Sequence, residues 1–112
     1  RRQDRRADAV KLYKKLASDV RTKEGSAAAY YVLEDVFAGG DMDKAEKAIF
    51  AYSEREPQAY WLAKAFILLG DVYVRKGDNF QARATYQSVA DGYSPADDGI
   101  VAEAKERIAK LN

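Results

Sequence analysis

The residues able to do chemistry in this chain are carboxylates. Glu34-Asp35, Asp41 with Asp43, and Asp97-Asp98 stand close enough in sequence to share a cation or a proton. Each falls at an expected helix boundary or on a polar face, where capping and solvation account for it. None has the spacing of a twelve-residue calcium loop. The chain has no His and no Cys, which removes imidazole bases, thiol nucleophiles, disulfides and nearly every zinc site together. Five serines remain, but a serine triad needs a His, and no motif supports a Ser–Lys dyad. Gly39-Gly40 is not followed by Lys-Ser/Thr and Gly77 stands alone, so a phosphate-binding loop is missing too. The expectation is a protein that is not an enzyme and uses neither a metal nor a cofactor.

Composition agrees with a small helical domain. The 112 residues are 47% hydrophobic and 33% charged, with only two Pro. That is ordinary for one globular unit and favourable to helix. The net charge of +1 is unevenly spread: residues 1–24 carry nine Lys/Arg against four Asp/Glu, and the remainder ten against fourteen. Arg1, Arg2, Arg5 and Arg6 would suit an anionic surface with a strong salt dependence. Asp4, Asp8 and Asp19 interrupt them, and no aromatic interleaving accompanies them, so the run reads as a solvated helix face and no nucleic-acid partner is expected. No apolar run approaches a membrane span, and no signal peptide is expected. The chain opens on Arg1, as expected of a trimmed protein or a piece of a longer one.

The elements that must position these residues are legible from apolar spacing. Leu62, Phe66, Leu69 and Tyr73 recur at alternating four- and three-residue steps with Ala65 beside them, which predicts a helix over 57–76 opened by Pro57. Lys76-Gly77-Asp78 stops it. Asp78 with Gln81 caps a second helix that buries Ala82, Tyr86 and Val89 and ends at Gly92. The same pattern recurs as Ala45-x3-Ile49-x2-Tyr52 and Ala9-x3-Tyr13-x2-Leu16. Ala45 and Ala82 are 37 residues apart, as are Gly40 and Gly77. Helices are expected over 4–22, 27–38, 42–55 and 99–111, with a break at 22–26 and Asp43-x2-Glu46 capping the third. The last carries Ile100, Ala104, Ile108 and Leu111 on one face and Glu103/Arg107 and Glu106/Lys110 on the other.

Phe66-x2-Leu69-Gly70-x2-Tyr73, followed by Ala82-x3-Tyr86 and Pro95, resembles the tetratricopeptide repeat. Phe66 replaces the usual Trp, and Pro95 falls one residue late. The earlier unit is degenerate, with Ala29, Leu33 and Val36 where the later has Phe66, Gly70 and Tyr73. The resemblance implies an all-α fold: a right-handed array of about six antiparallel helices. Residues 1–24 would be the second helix of an incomplete repeat, 26–57 a degenerate repeat, 58–96 a well-matched repeat and 97–112 a capping helix. The Tyr60-Trp61-Leu62 entry resembles bacterial repeat proteins, some of which serve cell-envelope assembly, so the expected location is the envelope or else the cytoplasm.

In such repeats the first helix of each pair lines a concave groove that holds peptide ligands. The resemblance carries that role to Tyr30, Tyr31 and Glu34 from one unit and to Lys64, Ile67, Leu68 and Asp71 from the next. Only Lys64 suits a clamp for a C-terminal carboxylate, so that subclass is not expected. The implied function is a non-catalytic scaffold or adaptor binding a peptide or protein segment. The alternative is a structural segment that self-associates, as a homo-oligomer or against its parent protein, through the apolar stripe of residues 4–22.

Overall fold

A computed structural model describes residues 21–93 and 98–111. Among the described residues there are five α-helices and no strand: α1 Lys23–Ala38, α2 Met42–Glu54, α3 Ala59–Arg75, α4 Asn79–Gly92 and α5 Ile100–Lys110. The expected first helix over 4–22 lies outside them.

Helix starts follow capping chemistry, with three shifts from the sequence reading. The expected break at 22–26 is already helical: the Thr22 hydroxyl accepts from Gly25 N at 2.9 Å, which starts α1 at Lys23. Asp41, rather than Asp43, caps α2 by accepting from Lys44 N at 3.1 Å. Asp43 and Glu46 instead hold Lys76 across the helix pair, at 2.8 and 2.9 Å. Pro57 precedes α3, whose N-cap is Gln58, and the chain reverses just before it at Glu56 with φ +57°. The Asp78–Gln81 cap forms as the sequence implies, with Gln81 N and Nε2 both donating to the carboxylate.

Successive helices run antiparallel. Tyr52 near the end of α2 donates to Ser26 O at the start of α1, at 2.8 Å. Tyr73 near the end of α3 donates to Glu46 near the start of α2, at 2.9 Å. Packing then alternates: α1 touches α2 and α3, α2 touches α3, and α3 touches α4 and α5, while α4 touches α5 and α2 does not meet α4. The core runs along the stripes predicted from spacing. Ala45, Ile49 and Tyr52 of α2, Ala65, Leu69 and Tyr73 of α3, and Ala82, Tyr86 and Val89 of α4 are all buried. Ile100 and Ala104 close the core from α5.

The closest helix approach is at Gly70. A Cβ there would lie 2.2 Å from the Tyr86 ring, so only glycine admits the ring against the α3 backbone.

Candidate functional site

α1, α3 and α5 lie side by side and share one face. Tyr30, midway along α1, meets Trp61 near the start of α3, and Phe37 meets Arg75 near the ends of both, so these two helices run in the same direction. Asp71 of α3 meets Arg107 of α5 further along.

The half of this face near the start of α3 is aromatic. Trp61 has its ring centroid 5.6 Å from Tyr30, 5.8 Å from Tyr31 and 5.1 Å from Tyr60, tilted or edge-on in each pair. Such geometry sets positive ring edges against negative ring faces. Lys64, one turn after Tyr60, places its ammonium 5.6 Å from the Tyr30 ring centroid and 5.9 Å from that of Tyr60. The Tyr30 hydroxyl donates to Glu34 Oε2 at 3.0 Å. Burial first, and then the neighbouring Glu34 carboxylate, push that hydroxyl far above the ordinary tyrosine value.

The other half is held by ions. Asp71 Oδ1 accepts from Arg107 Nε at 2.9 Å and also from the Tyr86 hydroxyl. Arg107 reaches Glu103 as well, at 3.2 Å. Partial burial opposes the Arg107 charge, but the two carboxylates outweigh it and hold the guanidinium more firmly protonated. One aspartate thereby ties α3 to α4 and α5.

The residues that the resemblance assigned to a groove fall into two groups. Tyr31 and Glu34 are exposed, and Lys64 and Asp71 are half-buried, all within reach of a partner. Tyr30, Ile67 and Leu68 are only 5%, 2% and 7% exposed and belong to the core cluster. A helix with neighbours on both sides must bury more than one stripe, and Ile67 and Leu68 serve that packing. Sequence reasoning did not find the Tyr86–Asp71–Arg107 node. Its only linear sign is a carboxylate beside Gly70, the residue that lets the Tyr86 ring approach.

Two clefts adjoin this framework. One of about 330 Å³ lies between α3 and α4 beside Ala63, Phe66 and Val89. A second of about 350 Å³ opens where α1, α3 and α5 end. Among the described residues no cluster of three or more carboxylates, His or Cys could hold a metal, and no helix is long and apolar enough to cross a membrane. Comparison with protein-family models, with curated proteins and with solved structures finds no match.

Proposed function

We propose that this chain is a non-catalytic scaffold, built as a short array of helical hairpin repeats, that binds a peptide or protein segment across the shared face of α1, α3 and α5. Three features support the array: the alternate packing of helices, the 37-residue recurrence of the Ala-x3-aromatic/Ile pattern, and the polar outer side of α5. That outer side exposes Lys105, Glu106 and Lys110 together with the small residues Ala102 and Ala109, and presents no large apolar side chain to a further helix.

The observation that carries the binding role is the aromatic cluster. Tyr31 and Tyr60 are 40% and 36% exposed although each lies edge-on to Trp61. Rigid rings with little conformational entropy to lose, beside Lys64 and Glu34, form the kind of surface that anchors a partner segment.

Selection of peptides from a displayed random library against the whole chain tests this. The selected peptides are expected to lose at least tenfold in affinity to a Tyr31→Ala, Tyr60→Ala double variant that keeps its helical circular dichroism. Peptides indifferent to that variant would overturn the reading.

A further inference from the structure

We propose that the cleft at the carboxyl ends of α1, α3 and α5 is a binding site for an amphipathic carboxylate: an anionic head on an apolar body of about ten carbons. The site lies at the other end of the shared face from the aromatic cluster, with Asp71 and Arg107 in its lining, and does not depend on peptide binding at Tyr31 and Tyr60. Its volume of about 350 Å³ is within the range of small-molecule sites.

Its floor is apolar and incompletely covered. Phe37 and Leu111 are half-buried, and Val74 is 40% exposed at the cleft. Covering such groups with an apolar body is favourable. Its rim is cationic: Arg75, Arg107 and Lys110 line the same cleft.

These cations are not equally available. Arg107 is engaged by Asp71 and Glu103. Lys110 pairs at 3.1 Å with Glu106 on an open helix face, with the two side chains 69% and 63% exposed. A pair of that kind is weak and easily exchanged. Arg75 has no carboxylate partner among the described residues. Its guanidinium lies over the Phe37 ring, 5.1 Å from the centroid. That contact uses no N–H hydrogen bond, so the guanidinium can still present two N–H groups to a carboxylate.

Basic residues at helix ends also answer the carbonyl dipole, which by itself would explain Arg75 and Lys110. It does not explain an uncovered Phe37–Val74–Leu111 floor beneath them. An aryl or alkyl body on that floor would bring its carboxylate to Arg75, with Lys110 as the second cation.

The carboxylate could be free or carried on a peptide, so both forms are probes: 2-naphthoate, and the blocked dipeptide N-acetyl-Glu-Phe-amide. Each is titrated into the isotope-labelled full chain and followed by amide chemical shifts. The expected result is that at least one probe shifts the Phe37, Arg75 and Leu111 amides, with the tighter of the two identifying the source. Neutral 2-naphthol should bind at least fivefold more weakly than 2-naphthoate. Arg75→Glu should weaken binding at least tenfold with circular dichroism unchanged, whereas Tyr31→Ala should leave it unaltered. Shifts confined to Leu62, Phe66 and Val89, equal binding of naphthol, or indifference to Arg75→Glu would each overturn the proposal. None of those results bears on peptide binding at Tyr31 and Tyr60.

Discussion

The two hairpins, α1–α2 and α3–α4, solve one packing problem with opposite choices. Residues 37 apart correspond: Leu33 with Gly70, Ile49 with Tyr86, Ser26 with Ala63 and Tyr52 with Val89. In the first hairpin two medium side chains, Leu33 and Ile49, fill the crossing, and both are buried. The second leaves the α3 side empty at Gly70 and fills the space with the Tyr86 ring. The bulk that fills the space moves from both helices to one. That choice has a chemical consequence. A ring lying over Gly70 carries its hydroxyl through to Asp71, so α4 contributes a hydrogen bond near the shared face. Ile49 has no polar atom to offer, and Glu34, the counterpart of Asp71, accepts from Tyr30 of its own helix instead.

The opposite ends of the hairpins differ in the same way. In the first, Tyr52 and the fully buried Ser26 close the end with polar contacts: Tyr52 donates to Ser26 O, and Gln58 N donates to Ser26 Oγ at 2.9 Å. Ala63 and Val89 stand at the corresponding places in the second, and the cleft of about 330 Å³ lies beside them. The largest effect is therefore expected from Tyr52→Val, which converts the first end to the second. It removes most of a buried ring and a buried hydrogen bond, at a cost of about 3–4 kcal/mol. Urea unfolding measures it. A loss under about 1 kcal/mol would show that the Tyr52–Ser26 closure is dispensable.

The crossing provides the next test. Gly70→Leu alone drives a side chain into the Tyr86 ring and is expected to cost about 3 kcal/mol. Adding Tyr86→Ile recreates the Leu33–Ile49 pairing of the first hairpin and should return at least half of that loss. If the double variant is no better than the single one, the two crossings are not equivalent and the correspondence by 37 residues is accidental.

These correspondences mark where the sequence could be read and where it could not. The stripes of α2 and α4 were legible because one face of each is buried and the other is wet, so spacing alone separates Ala82, Tyr86 and Val89 from their polar neighbours. α3 is covered on more than one side. A stripe built from Leu62, Phe66, Leu69 and Tyr73 misses Ile67, Leu68 and Val72, which are buried, while its own Leu62 and Phe66 are only half-buried. Three of the expected groove residues turned out buried for that reason. The α1 start was misplaced because Gly25 looks like a terminator. Its burial with Ser26 beside the α2–α3 connection has no local signature, since it depends on Gln58, far along the chain. Asp43 looked like a cap, but its cation, Lys76, comes from the end of α3.

Hydroxyl ionisation gives the gentlest comparison of the two hairpins. Tyr30 and Tyr52 of the first, and Tyr73 and Tyr86 of the second, all have pKa values above the ordinary 10.0, with burial the largest cause in each. Tyr52 is pushed up to about 12. An unfolded chain ionises these groups near pH 10, while the folded chain keeps their protons. Their contribution is thus complete below pH 10 and is lost as pH rises through the folded values. Urea unfolding at pH 8.5, 9.5 and 10.5 should show no change over the first step and a fall over the second, smaller than either substitution effect above. Burial raises Tyr52 against the Ser26 side chain and Arg55, both of which favour the ionised form. In Tyr86 the Asp71 carboxylate adds to burial, because an anion beside a phenol opposes a second negative charge. Tyr86→Phe and Tyr52→Phe should each flatten the alkaline fall to about the same degree, because at pH 10.5 both folded hydroxyls still hold their protons and the fall comes from the unfolded phenols. A Tyr52→Phe or Tyr86→Phe variant whose alkaline fall matches that of the parent chain would mean that the hydroxyl it lacks ionises as readily folded as unfolded.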